Sequence, residues 1–303
     1  MQRFKKLLFV NEPAKMEPGT PAAVLELARA NSAKVMFLDV AASLPRTFIN
    51  MEEGFRKARQ ARLESMIEGL DTEGVEIEYK LREGIPMIEI VREVLENGHD
   101  VVIKNSDGRH LHSAAFGSID MQLLRKCPCP VWIVTSNKSH KANTVMACID
   151  VDESVAANAE LNQKILEMSG SLARMNKATL HVVHALAVPQ ELYRGDVLSV
   201  LGDVELGNMI EDLQEERQVE VSSLVEKHCP PGVEVRVHIS QEPPDELILS
   251  VAFENDIDVV VMGTVARTGV AGFFIGNTAE RVINGLTCSV LTVKPDAFQT
   301  PVQ

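Results

Sequence analysis

The sequence lacks any hydrophobic run long enough to cross a membrane. A transmembrane helix needs about 20 apolar residues, and no stretch of 18 consecutive apolar residues occurs among the 303. The first apolar segment, LLFV from Leu7, is too short for the hydrophobic region of a signal peptide and is typical of a first strand. We therefore expect a cytoplasmic protein that does not insert into a membrane.

Cysteine and basic residues are also scarce. The five cysteines are scattered without a disulfide-type spacing, which suits a reducing compartment. There are 30 Lys and Arg against 43 Asp and Glu, and the formal net charge of −13 argues against non-specific binding to nucleic acid. Residues 1–142 are almost neutral, so nearly all of this charge lies in residues 143–303. The two halves therefore differ electrostatically.

The signatures of common catalytic sites are missing as well. The sequence has no nucleophile elbow, no Walker sequence, no G-x-G-x-x-G fingerprint and no spaced Cys/His zinc pattern. No general acid–base pair can be placed either. Enzymatic activity is therefore an open question.

What the chain does have is a regular alternation of short apolar runs with helical patterns, which predicts parallel sheets covered on both faces. The predicted strands of the first half are LLFV from Leu7, KVMFLDV from Lys34, VEIEYKL from Val75, DVVIK from Asp100 and VWIV from Val131. Those of the second half are VMACID from Val145, ATLHVVHA from Ala178, VEVRVHI from Val233, DVVVMG from Asp258 and VLTV from Val290.

The second half repeats the first. A shift of 159 residues pairs Gly117 with Gly276 and Cys129 with Cys288, without a gap across the last strand–loop–helix–strand unit. A polar stretch near residue 140 is typical of a linker. We therefore predict two tandem five-stranded α/β domains, at residues 1–138 and 143–303.

A Gly-rich loop follows the fourth strand of the second half. Its spacing is Gly263-x-x-Ala266, nine residues, then Gly276-Asn277-Thr278, with a helix predicted to follow. Glycines let the backbone approach a phosphate, and a helix N-terminus offers N–H groups and a favourable dipole. Within the loop, Arg267 could pair with a phosphate oxygen and Gly269 adds a further glycine.

This loop resembles the nucleotide loop of the universal stress protein family, G-x2-G-x9-G-[S/T], and the resemblance covers the whole chain as two copies. It implies doubly wound five-stranded sheets of order 3-2-1-4-5, packed as a pseudo-dimer. It also implies ATP or another adenine nucleotide as ligand, for which Mg²⁺ is a candidate companion. Asp150 matches the family's aspartate after the first strand, and Val183 is the candidate for backbone contact with adenine.

This sequence departs from the family pattern at two positions of the loop. Ala266 replaces the second glycine, and Asn277 replaces the Ser or Thr, although Thr278 offers a hydroxyl group one position later. The first copy departs further, because it reads Lys104-x-x-Asp107 and keeps only the final Gly117-Ser118. A carboxylate at Asp107 repels phosphate, and we predict that the first copy does not bind ATP. Asn11 stands near its aspartate position.

Other candidate sites carry weaker signals. Cys127 and Cys129, in RKCPCPVWIV, could bind a metal or sense redox state, but the prolines and the pairing of Cys129 with Cys288 favour a structural role. Three residues of one loop, Asp107, His110 and His112, could bind a divalent metal, although a solvated loop is the simpler interpretation. His181 and His184 should lie on opposite faces of one strand, which disfavours a joint metal site.

Two functions from different classes remain open. The first is a stress-response module, regulatory or protective, that binds an adenine nucleotide in its second domain. The second is an interaction protein whose loop is only structural. Protein partners or a homodimer are compatible with both.

Overall fold

The computed structural model describes residues 4–13, 16, 19–107, 119–135, 141–151, 156–188, 203–264 and 275–302. Strands and helices alternate along the first repeat, as follows: β1 Lys6–Val10, α1 Thr20–Asn31, β2 Lys34–Ala41, a 3-10 helix Arg46–Met51, α2 Glu52–Glu68, β3 Ile77–Glu83, α3 Pro86–Asn97, β4 Val101–Asn105, α4 Ile119–Lys126 and β5 Val131–Val134.

The second repeat continues the same alternation, as follows: β6 Thr144–Cys148, α5 Ala156–Asn176, β7 Thr179–Ala185, α6 Asp203–His228, β8 Val235–Ser240, α7 Pro244–Glu254, β9 Val259–Gly263, α8 Asn277–Gly285 and β10 Ser289–Val293. Across the ranges given above, no helix combines the length and the apolar character needed to cross a membrane.

The chain divides into two compact units that differ from the predicted sequence domains. The first unit is Met1–Lys141 together with Thr264–Gln303, and the second is Ala142–Gly263. The division at Gly263 falls at the end of β9, where the Gly-rich loop begins. The domain boundaries at residues 138 and 143 stay a prediction, since residues 136–140 lie outside the described part of the chain.

The sheet of the first unit has the strand order β3-β2-β1-β4-β5-β10. Its first five strands are parallel and follow the expected order 3-2-1-4-5. The sixth, β10, pairs with β5 in the antiparallel direction, with Leu291 opposite Trp132. The last strands of the two repeats thus pair with each other, as expected for short apolar strands with open edges.

The second unit repeats the central arrangement, with the strand order β9-β6-β7-β8 and parallel pairing throughout. The first strand of the repeat, β6, lies between β7 and β9, as β1 lies between β2 and β4 in the first unit. Both units thus confirm the predicted doubly wound α/β fold.

Burial of the central strands positions the polar residues that follow them. Every residue of β4 is buried, and Leu7, Leu8 and Phe9 of β1 are fully so, as expected for a parallel strand covered on both faces. The helix α3 ends at Gly98, whose φ of 63° is the left-handed conformation that favours glycine, and Gly98 N–H donates to the carbonyl oxygen of Val94 at 2.9 Å. This turn leads into β4.

Two histidines of the second unit form a close pair on neighbouring strands. Nδ1 of His181 on β7 and Nε2 of His238 on β8 lie 3.0 Å apart, and the two rings stack with a centroid separation of 5.1 Å. His184, on the opposite face of β7 as expected, lies with its Nδ1 3.4 Å from the carbonyl oxygen of Ile149. The histidine that contacts His181 is therefore His238 on the neighbouring strand β8, and not His184 on the same strand.

The environment of this pair disfavours a positive charge. Burial lowers the pKa of His181 to about 4, with His238 and Arg236 adding to the effect and Glu234 opposing it. Burial likewise lowers the pKa of His238, together with Arg236 and against Glu254. Protonation of the pair therefore opposes folding.

Acid should destabilise the protein through His181. Because its pKa is about 4 when folded and about 6.5 when unfolded, its contribution to stability is complete above pH 6.5 and is lost as the pH falls towards 4. The loss amounts to at most about 3 kcal/mol. Denaturant unfolding of wild type and of His181→Gln from pH 7 to pH 4 checks this. The difference in free energy of unfolding should shrink on acidification, and a constant difference would contradict the prediction.

Candidate functional site

The carboxyl ends of β1 and β4 in the first repeat are occupied by a buried ammonium group. Lys104 is fully buried, and its Nζ donates to the carbonyl oxygen of Asn105 at 2.8 Å, to Oδ1 of Asp107 at 2.6 Å and to Oδ1 of Asp120 at 2.9 Å. The carboxylate of Glu12, which follows β1, lies 2.6 Å from the same nitrogen. An ammonium has three N–H donors, and all three are used within the protein.

The carboxylates fix the charge on this lysine. Burial opposes that charge, but Asp120, Glu12 and Asp107 together raise the pKa of Lys104 above its ordinary value. Burial also raises the pKa of Asp120, although Lys104 acts in the opposite direction. One cation thus faces three acidic side chains, so the pKa of Lys104 and that of Asp120 depend on each other.

The same carboxylates occupy the start of α4. Asp107 N–H donates to Oδ2 of Asp120 at 2.7 Å, and Asp120 N–H donates to Oδ2 of Asp107 at 3.3 Å. The N-terminus of a helix is ordinarily a site where an anion can bind. Here an internal carboxylate already accepts from the helix N–H group. Asp107 is therefore committed to this cluster, while His110 and His112, its suggested metal-binding neighbours, lie outside the described residues.

Asn11, which stands at the family's aspartate position in the first repeat, is also engaged. It is buried, and its Nδ2 donates to Oδ2 of Asp39 at 3.2 Å. Asp39 also accepts from Nε of Arg59 on α2 at 2.9 Å. Internal polar contacts thus join the described residues at the carboxyl edge of the first repeat.

In the second unit, Asp150 follows β6 and is half-buried. Asn158 Nδ2 donates to its Oδ2 at 3.2 Å. Asn162 on α5 holds the backbone, since Asp150 N–H donates to its Oδ1 at 3.0 Å and its Nδ2 donates to the Asp150 carbonyl oxygen at 2.7 Å. Two asparagines of one helix therefore orient this carboxylate.

Val183 lies inside β7, which continues to Ala185. It is 2% exposed, and its carbonyl oxygen accepts from Ile149 N–H at 3.0 Å. The Val183 carbonyl oxygen, which is the candidate for contact with adenine, thus already accepts a hydrogen bond within the sheet.

Gly263 ends β9, where the backbone passes close to α5. A Cβ atom built on it would lie 2.5 Å from Cδ2 and 3.3 Å from Cγ of Leu161. No real Cβ contact is this short, so a side chain at this position requires Leu161 to move. Packing within the second unit is one physical reason for glycine here.

The residues that end the Gly-rich loop belong to the first unit. Gly276 N–H donates to the Thr264 carbonyl oxygen at 3.0 Å, and Gly276 precedes α8 with φ −63° and ψ 146° and without a side-chain capping bond. Asn277 is exposed and Thr278 is half-buried. Three predicted site residues, Ala266, Arg267 and Gly269, lie outside the described residues.

Metal-binding clusters are absent from the described ranges, where no group of three or more His, Cys, Asp or Glu side chains is arranged to hold a metal ion. The charged cluster around Lys104 is not evident from the sequence. Only the Lys104-x-x-Asp107 spacing hints at it, because Glu12 and Asp120 are far from it along the chain.

Comparison with known proteins gives one consistent family. Residues 21–135 and 143–294 both match the sequence profile of the universal stress protein family. The chain is 32% identical over 262 residues to universal stress protein E of Escherichia coli K12, covering 84% of this chain and 79% of that protein. It is 30% identical over 257 residues to universal stress protein E of Photorhabdus laumondii, covering 84% and 80%.

Solved structures agree with the fold. A protein of unknown function from Pseudomonas aeruginosa PAO1 matches with a TM-score of 0.71 and 26% identity, over 97% of this chain and 94% of that chain. A universal stress protein from Archaeoglobus fulgidus matches with a TM-score of 0.62 and 18% identity, over 96% of each chain, and this second likeness speaks for the fold alone.

Replacing the central cation of the first repeat should be costly. Lys104→Met leaves three acidic side chains without their shared ammonium, and removal of one partner from a buried ion pair typically costs about 3–5 kcal/mol. Thermal and denaturant unfolding at pH 7 should show a loss of this size. The loss should shrink near pH 5, because burial raises the pKa of Asp120 and the opposing charge of Lys104 is gone in the variant.

The matched control is Lys34→Met, which removes an exposed ion pair with Glu76 and should change stability little. Equal, small effects of the two substitutions would contradict the importance of the cluster.

Proposed function

Because the chain belongs to the universal stress protein family, we propose that its second repeat binds one adenine nucleotide, ATP, and that the protein acts as a regulatory or protective module in the stress response. The proposed ligand residues, assigned by resemblance, are Asp150, Val183, Gly263, Ala266, Arg267, Gly269, Gly276, Asn277 and Thr278. The first repeat binds no nucleotide in this proposal.

One observation carries the proposal. The shift of 159 residues that relates the two loops pairs Lys104 with Gly263, Asp107 with Ala266 and Asp120 with Ala279. Each charged member of the buried cluster thus has an uncharged, small counterpart in the second repeat. After the first strand, Glu12 corresponds to Val151 when Asn11 is paired with Asp150. The second repeat therefore lacks the groups that close the first.

The chain's own residues would hold the phosphates through the backbone. The first N–H groups of a helix have no partner inside the helix, which makes the start of α8, at Asn277 and Thr278, suited to a phosphate. Arg267 would supply a positive charge. Since residues 143–303 are acidic overall, these local donors and a Mg²⁺ ion would have to overcome long-range repulsion.

Binding rather than catalysis is the proposed activity. No acid–base pair can be assigned from the sequence beside the proposed phosphate position, so hydrolysis would at most be slow. We place the protein in the cytoplasm, with protein partners or a second copy of the chain as its further contacts.

A second candidate function is an interaction protein in which the loop is only structural. The contact of Gly263 with Leu161 favours it, because packing gives glycine at that position a role that needs no ligand. The two functions differ in one measurable quantity, which is affinity for a nucleotide.

Calorimetric titration with ATP and Mg²⁺ should give a stoichiometry near one per chain. The physical reason is that carboxylates of the first repeat already accept the hydrogen bonds that Lys104 and the start of α4 could donate to a phosphate. Two equivalent sites would contradict the closure of the first repeat. No binding at millimolar ATP would favour the interaction protein.

Gly276→Asp should abolish nucleotide binding and leave the protein folded. Its φ of −63° and ψ of 146° are open to any residue, and aspartate is a favoured N-cap residue. The carboxylate would nevertheless compete for the helix N–H groups and repel a phosphate. Hydrogen bonds to charged groups are worth about 1.5–3 kcal/mol each, so affinity should fall by at least about tenfold for each phosphate hydrogen bond that the carboxylate displaces.

The matched control is Gly117→Asp at the corresponding position of the first repeat, which should leave ATP affinity unchanged. If Gly276→Asp is folded by circular dichroism and binds ATP as tightly as wild type, the nucleotide proposal is wrong.

A further inference from the structure

Two thiols of the first unit lie in direct contact. The Sγ atoms of Cys127 and Cys129 are 3.6 Å apart. Cys127 is fully buried and Cys129 is partly exposed. The sequence alone favours a structural role for each of them, whereas the contact makes them a dithiol with one side open to solvent.

The backbone holds the two thiols in place. Cys127 N–H donates to the Leu123 carbonyl oxygen at 2.9 Å and so continues the last turn of α4, and the Pro130 carbonyl oxygen accepts from Val102 N–H at 2.9 Å and so begins the ladder with β4. Pro128 and Pro130 fix the φ angles next to each cysteine. The short segment between helix and strand therefore has little freedom to separate the sulfur atoms.

A buried lysine from the other end of the chain completes the cluster. Lys294 directly follows β10, is 6% exposed, and donates from Nζ to the Cys127 carbonyl oxygen at 2.6 Å. Its Nζ also lies 4.5 Å from the ring centroid of Phe298. Burial lowers the pKa of Lys294 to about 8, with both cysteines opposing that effect.

The surroundings shift the pKa values of the two thiols in opposite directions. Burial would raise the pKa of Cys127, but the hydrogen bond from Cys129 and the charge of Lys294 bring it below its ordinary value. The same hydrogen bond, with burial and Asp100, raises the pKa of Cys129. Cys127 is therefore the thiol that ionises first.

We propose that Cys127 and Cys129 are a redox-active dithiol that hydrogen peroxide oxidises to an intramolecular disulfide, with Lys294 as the positioning residue that stabilises the thiolate. This site is independent of the nucleotide proposal. Its three side chains come from both repeats, joined by the pairing of β5 with β10.

The reaction balances with peroxide as the only oxidant. The thiolate attacks one peroxide oxygen, the O–O bond breaks, and the departing hydroxide takes up the proton that the dithiol had released, which gives water and a sulfenic acid. The second thiol attacks that sulfur, the S–S bond forms, the S–O bond breaks and a second water leaves. The dithiol loses two electrons and two protons, and the peroxide gains them.

The geometry requires only a small movement. A disulfide bond is about 2.05 Å long, so the sulfur atoms must approach by about 1.5 Å. Cys127, which Lys294 contacts and whose pKa is the lowered one, supplies the attacking thiolate. Cys129, in direct contact with it, is the resolving thiol.

The second repeat provides an internal control. The same shift of 159 residues pairs Cys129 with Cys288, but pairs Cys127 with Leu286. Cys288 is buried and has no second cysteine at the corresponding position, so peroxide should not convert it to an intramolecular disulfide.

The test is oxidation of the reduced full-length protein by hydrogen peroxide, followed by alkylation and mass analysis of the peptide that contains both thiols. Wild type should lose two hydrogens from that peptide and become resistant to alkylation there, while Cys288→Ser behaves identically. In Cys129→Ser, Cys127 should instead stop at a sulfenic acid that a dimedone-type reagent traps.

Lys294→Met tests the positioning role. Without the ammonium, whose charge lowers the pKa of Cys127, that pKa should rise, so the oxidation rate at pH 7 should fall severalfold and the midpoint of its pH profile should move upward. Circular dichroism establishes that the variant is folded.

Two results would overturn the proposal. One is a wild-type peptide that gains oxygen or stays reduced without losing two hydrogens. The other is oxidation at Cys127 and Cys129 no faster than at Cys288. An unchanged pH profile in folded Lys294→Met would remove Lys294 from the mechanism.

Discussion

The ammonium group of Lys104 is the contact on which the first repeat depends. It brings together the end of β1, the end of β4 and the start of α4, through Glu12, Asp107 and Asp120. Parallel strands buried on both faces consist mainly of apolar residues, so charged side chains are found mostly where the strands end. The cluster is thus a consequence of the sheet, and it makes the carboxyl edge of the first repeat a structural element in its own right.

Duplication therefore produced two edges with opposite character. In the first repeat, charged side chains that pair with one another lie at this edge. In the second, small uncharged residues at the corresponding positions leave the helix start at Asn277 without an internal carboxylate from the same positions. The two repeats thus share one fold, and the difference between their edges lies in a few side chains rather than in the sheet.

The sequence predicts the elements well because their signals are local. Short apolar runs identify the strands, and the register of 159 residues identifies the duplication. The contacts that define the sites are not local: Lys294 and Cys127 are 167 residues apart, and His181 and His238 are 57 apart. Periodicity reports which face a residue occupies and gives no information on which distant side chain it meets. For the same reason, the sequence shows Lys104 only as a departure from the loop motif, and its carboxylate partners are identified only in the structure.

The pairing of β5 with β10 also bears on how the chain is made. While the ribosome is still adding residues, VWIV at β5 is an apolar edge with unpaired backbone groups, and its partner does not exist until residue 293 has been added. At about 5–20 residues per second, the interval between β5 and β10 lasts about 8 to 30 s. During that time the nascent first repeat exposes a strand that other chains can pair with. The order of synthesis therefore creates a risk of misassembly that is absent once β10 has paired with β5.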